Sequence, residues 1–90
     1  MKKIFKYALP IKGTRLLSLP KNSQVLSVGN QRRNLVLWAA VDTDAKETEQ
    51  HLITIETTDN PLSNVDNADF LGTVLFDHDE YVVHVFHEKV

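Results

Sequence analysis

The chain has 90 residues, 42 % of them apolar, which fits one domain (residues 1–90) with a modest core and excludes global disorder. It has no cysteine, so a disulfide framework, a thiolate metal site and a cysteine nucleophile are all excluded, and an intracellular setting is expected. The formal net charge of −2 does not favour duplex nucleic acid or an anionic membrane as a partner.

Strand signals follow one another along the chain. KIFKYAL (residues 3–9) alternates in part, with Phe5, Tyr7 and Leu9 on one face and Lys6 on the other. Its lysines, with Lys12 beyond, interrupt any apolar leader, so no secretion signal is expected, and no run approaches a membrane span. TRLLSLP (14–20) must stop near Pro20, which cannot donate to a ladder. QVLSVGN (24–30) alternates less cleanly. LVLWAAV (35–41) is apolar on both faces, as in a central strand or one whose second face meets another subunit. TDAKETEQ (43–50) lacks an apolar stripe and reads as a polar connection. HLITIETT (51–58), FLGTVLF (70–76) and EYVVHVF (80–86) complete the strands. The turn-rich segment 60–69 has room for one short helical turn. The expected fold is all-β: a small antiparallel sandwich or barrel of six to seven short strands with at most one short helical turn.

Charge is divided along the chain. Residues 1–41 hold Lys2, Lys3, Lys6, Lys12, Arg15, Lys21, Arg32 and Arg33 and no acid, whereas residues 42–90 hold all twelve acids with only Lys46 and Lys89. Three arrangements fit: a basic face beside an acidic one, interleaved strands that neutralise each other, or complementarity between copies.

The candidate ligand-binding residues are Gln31, Arg32, Arg33, Trp38 and His84. GNQRRN puts Gln31, Arg32 and Arg33 at a hairpin tip, where two guanidiniums beside an amide can hold a phosphate. The plainer alternative is a solvated turn. Trp38, the only tryptophan, can stack on a nucleobase or can simply be core. His84 shares a face with Val82 and Phe86. It is either a half-buried histidine bonded to a backbone carbonyl or a polar group aimed into a pocket or interface. His84 and His87 lie three apart and should face opposite ways, so they should not chelate one ion together. DHDE around His78 lacks the length and glycine of a calcium loop. No metal site and no cofactor are expected. Without a nucleophile elbow, a phosphate-binding glycine loop or a zinc motif, no enzymatic activity is expected either.

YALPI, LP…VLSVGNQ…LVLWAAVD, TIETT…P, FLGTV and VVHVF, taken together, resemble a family of small bacteriophage proteins that carry a domain of unknown function. The likeness spans nearly the whole chain. It departs at Val83, where members often have tryptophan, and at TTDNP, where they often read TGHP. The resemblance implies expression in the cytoplasm of an infected bacterial host. It carries no activity, but small phage proteins commonly act by occupying something. The leading expectation is therefore a non-enzymatic homo-oligomer that sequesters a nucleotide-derived, phosphorylated signal of host immunity. The alternatives are an inhibitor or regulator bound to a host protein, and a virion or assembly component.

Overall fold

Alternating apolar residues and punctual turn formers produce seven strands and no helix in the computed structural model, which describes residues 1–90. They are β1 (Lys2–Leu9), β2 (Gly13–Pro20), β3 (Gln24–Gln31), β4 (Asn34–Asp42), β5 (Thr48–Thr57), β6 (Asp69–Phe76) and β7 (Tyr81–Lys89). Two antiparallel sheets face each other, one with order β1-β4-β3 and one with order β2-β5-β7-β6. The fold is thus a small β-sandwich.

The two-sided apolar run 35–41 is explained by its position, because β4 is the central strand of the three-stranded sheet. Leu35, Leu37, Ala39 and Val41 point inward and are fully buried. They meet Leu17, Leu19, Ile53, Ile55, Val83 and Val85 of the other sheet in a single core. β3 and β6 close one side of the sandwich: Asn30 Nδ2 donates to the Leu75 carbonyl at 3.1 Å. A Cβ on Gly72 would come within 3.3 Å of Val28 Cγ2, so glycine permits this close approach. The opposite margin is open, and Ile4 and Phe5 of edge strand β1 are exposed there.

Polarity in residues 43–50 does not make all of them a connection. β5 begins at Thr48, so Thr48, Glu49 and Gln50 belong to the ladder. Glu49 lies on the inner face two residues before His51, and its bond to that ring replaces the apolar contact that alternation would require. Segment 60–69 forms no helix but closes one turn, Ala68 N donating to the Val65 carbonyl at 3.0 Å, and Ser63 N donates to Glu56 Oε1 at 3.0 Å and holds the segment against β5.

The β3–β4 hairpin has a two-residue turn with Arg32 at φ 53° and Arg33 at φ 70°. Paired positive φ values match the twist of a hairpin, but they favour asparagine and glycine. The other positive-φ non-glycine residues are Asn22, Asp59, Asp77, His78 and Asp79, types that tolerate this region. Two arginines there are strained, at about 1 kcal/mol or more each. The double variant R32N/R33G is therefore expected to raise stability by about 1–2 kcal/mol in chemical denaturation. An unchanged or lower midpoint would show that the arginines make compensating contacts.

Candidate functional site

The outer face of the three-stranded sheet gathers an aromatic ring and unpaired cations. Register places Lys6 opposite Trp38 on one side and Ser27 opposite it on the other. The indole lies across Gly29: a Cβ built there would sit 3.0 Å from Trp38 Cζ3 and 3.2 Å from Cη2. Glycine lets the ring approach the β3 backbone this closely. Gly29→Val is expected to lift the indole, shifting Trp38 emission to the red and costing about 1–3 kcal/mol from overpacking. Unchanged emission would mean that the ring does not rest on Gly29.

Lys6 Nζ donates to Gln31 Oε1 at 2.6 Å, bridging the two edge strands across β4. On this same face Val36 is only 3 % exposed although it lies outside the core cluster. The Arg32–Arg33 turn follows Gln31 directly, with Arg33 N donating to Asn30 Oδ1 at 2.9 Å. Of the eight cations in the basic first part, only Lys21 forms an ion pair, with Glu47 at 3.3 Å. Five of the others, Lys2, Lys3, Lys6, Arg32 and Arg33, belong to the three-stranded sheet and its hairpin. Within one chain, then, the charge division mainly separates the sheets instead of neutralising them.

Gln31, Arg32, Arg33 and Trp38 therefore belong to one sheet, with Gln31 and Trp38 joined through Lys6. His84 does not join them. It lies on the outer face of the four-stranded sheet, alongside Val82 and Phe86. Its partners are two threonine hydroxyls, Thr58 Oγ1 at 2.9 Å and Thr73 Oγ1 at 3.0 Å, rather than a backbone carbonyl. Both ring nitrogens are thereby occupied, and the imidazole stands between β7, β6 and the segment after β5. A polar cleft lined by Lys12, Thr57, Thr58, Asn60 and Tyr81 borders His84 through Thr58.

A second polar assembly sits on the inner face of the four-stranded sheet. His51 is 2 % exposed. Its Nε2 lies 2.6 Å from Glu49 Oε2, and its Nδ1 lies 2.7 Å from His87 Nε2. The two rings are nearly coplanar, 13° apart with centroids separated by 5.0 Å, which is edge-to-edge rather than face-to-face contact. The other Glu49 oxygen accepts from Asn22 N at 2.6 Å and lies 3.5 Å from Lys89 Nζ. Every buried side-chain nitrogen and oxygen has a partner. Spacing could have suggested Glu49 with His51, because residues two apart share a strand face. His87 could not be added without the β5–β7 register, which sets Ile53 opposite His87 and His51 opposite Lys89.

This assembly makes stability depend on acidity. Burial, and then the charge of His51, push the His87 imidazole below its ordinary 6.5, against the pull of Asp69. The Asn22 amide holds Glu49 below its ordinary 4.5 against the opposing effect of burial, with His51 and Lys89 helping. In both cases the unfolded chain binds the proton more readily than the folded one, so stability falls as pH falls. The expected loss begins below 6.5 from His87 and resumes below 4.5 from Glu49. Denaturation midpoints measured from pH 8 to pH 3 check this; a flat profile down to about pH 4 would contradict it.

A family model described as Domain of unknown function (DUF7352) matches residues 1–90. No curated protein and no solved structure matches the chain.

Proposed function

The chain belongs to the DUF7352 family, which lends no activity to carry over, and we propose from its geometry that it is a non-enzymatic binding protein for a phosphorylated aromatic ligand of the nucleotide class. The observation that carries this reading is the Trp38 indole laid across Gly29 on a sheet whose Lys6, Arg32 and Arg33 form no ion pair. Trp38 supplies the stacking surface. Lys6, Arg32 and Arg33 supply the phosphate contacts, and Gln31 orients Lys6. The face is open and nearly flat, so a second copy of the chain closing over the ligand supplies the missing wall. Nothing in this constellation activates water or a nucleophile, and the ligand is held, not transformed. In the setting implied by the phage resemblance, the cytoplasm of an infected bacterium, such binding sequesters a nucleotide-derived signal of host defence.

A different observation favours a host-protein partner. β1 is an edge strand whose far side pairs with no other strand, and its Ile4 is 65 % exposed. A partner strand could add there.

Trp38 is the only tryptophan, so its fluorescence reports on the site directly. Titration with a panel of cyclic nucleotides and ADP-ribose-type compounds, paired with native mass spectrometry, is expected to show saturable quenching. The accompanying mass increase should correspond to intact ligand in fixed ratio to a defined oligomer. Arg32→Ala and Arg33→Ala are each expected to weaken binding about tenfold, a charge-assisted contact's worth, with no loss of stability. No quenching and no adduct across the panel would overturn the reading and favour the β1 edge, tested by capture of one host protein in a fixed complex.

A further inference from the structure

Four polar groups form a line across the inner face of the four-stranded sheet. Glu49 and His51 lie two apart on β5, His87 is diagonal to His51 on β7, and Asp69 is directly opposite His87 on β6. This line sits where the chain passes from one sheet to the other. β2 ends at Pro20 in the four-stranded sheet, and β3 starts at Gln24 in the three-stranded sheet. The turn between them is tied to β5 through Asn22 N and Glu49 Oε1, and beside it through Lys21 N and the Glu47 carbonyl at 2.9 Å. One carboxylate thus divides its oxygens between the corner and the histidine pair.

We infer that Glu49, His51 and His87 form a proton-operated latch that accepts one proton intact and releases the β2–β3 corner on a second. The hydrogen-bond geometry determines where each proton goes. Glu49 is ionised and can only accept, so His51 carries its proton on Nε2. His51 Nδ1 is then an acceptor, and His87 Nε2 must donate to it. That leaves His87 Nδ1 as the one ring nitrogen of the pair without a protein partner; Asp69 stands opposite His87 on β6. A first proton fills that nitrogen while one hydrogen stays between the rings, so the charge is shared by the pair and no bond breaks. A second proton on the rings can enter only between them. It would set two N–H groups against each other across a 2.7 Å gap, and the pair must separate. Movement of His51 then takes Glu49 from its position under Asn22.

The charged groups around the pair are few. β5 contributes Glu49, β7 contributes Lys89 and β6 contributes Asp69. β2 presents Leu17 and Leu19 on this face, with exposed Arg15 further along it opposite Ile53, and the β2–β3 turn presents a backbone amide. The facing sheet offers Ala39 and Val41, with Lys3 exposed at its margin. None of these replaces the lost bond when His51 moves.

The test follows the amides of Lys21 and Asn22 by hydrogen exchange, corrected for intrinsic rates, from pH 7 to pH 4. Arg33 N, in the β3–β4 turn at the other end of β3, serves as reference. In the natural sequence the corner amides are expected to lose about tenfold or more of their protection in the acid range while Arg33 keeps its own. His87→Gln retains a donor to His51 Nδ1 but cannot be protonated, and should abolish the step. Ring-nitrogen NMR of the unaltered chain provides a reading that needs no variant. Once the pair has taken its first proton, His51 Nε2 and His87 Nδ1 should both carry hydrogen, with a single hydrogen between His51 Nδ1 and His87 Nε2. The latch is overturned if the corner amides show no step, if the step survives in His87→Gln, or if the two rings titrate independently.

Discussion

Replacing His51 by alanine is expected to destabilise the protein by about 3–4 kcal/mol at pH 7. His51 is 2 % exposed and satisfies Glu49, itself only 10 % exposed at its side chain. Its removal leaves a cavity beside Leu17 and Ile53 and deprives a nearly buried carboxylate of its closest partner. It also leaves His87 Nε2 without an acceptor. A loss of this size is a large part of the roughly 5–13 kcal/mol that 90 residues ordinarily provide. Glu49→Gln should cost far less, about 1 kcal/mol, because the amide oxygen still accepts from Asn22 and the rings can exchange tautomers. Denaturant titrations of both variants decide the matter. If His51→Ala stays within about 1 kcal/mol of the natural sequence, the assembly contributes little to folding.

Leu37→Ala is expected to cost about 3–4 kcal/mol with little change in m-value. Leu37 is completely buried on the central strand β4, opposite Tyr7 on one side and Val28 on the other. Strands on both sides hold the backbone in place, so the void cannot collapse and the full cavity cost remains. Leu26→Ala provides the contrast. Leu26 sits at the β3 bulge, out of register and 40 % exposed, so its truncation should fall within about 0.5 kcal/mol. Equal losses for the two leucines would contradict the assignment of inner and outer faces.

Alternation and turn chemistry made most of the fold legible. The apolar stretch 35–41 marked the central strand, which β1 and β3 flank and whose Leu35, Leu37, Ala39 and Val41 enter the core. Pro20 marked the end of β2, and GNQRRN marked a hairpin. The start of β5 was obscured because Thr48, Glu49 and Gln50 are polar, and polarity is a poor guide where a buried carboxylate is satisfied by histidine. The parity of His84 and His87 was readable from their spacing, but their partners were not. Thr73 and Thr58 come to His84 from β6 and from the segment after β5, and His51 comes to His87 from β5.

The sequence by itself determined which residues alternate, where turns interrupt them, that the fold is all-β and that cations and acids occupy different parts of the chain. Those properties are local, because a strand's side-chain period and a turn's backbone preference involve only near neighbours. Tertiary structure decided the rest. Strand order put Lys6 and Gln31 on either side of Trp38, removed His84 from that face and joined His51 to His87 across a ladder. Strand pairing is non-local: residues tens of positions apart come within bonding distance only when whole strands choose one register and bury one face, and no short stretch of sequence encodes that choice.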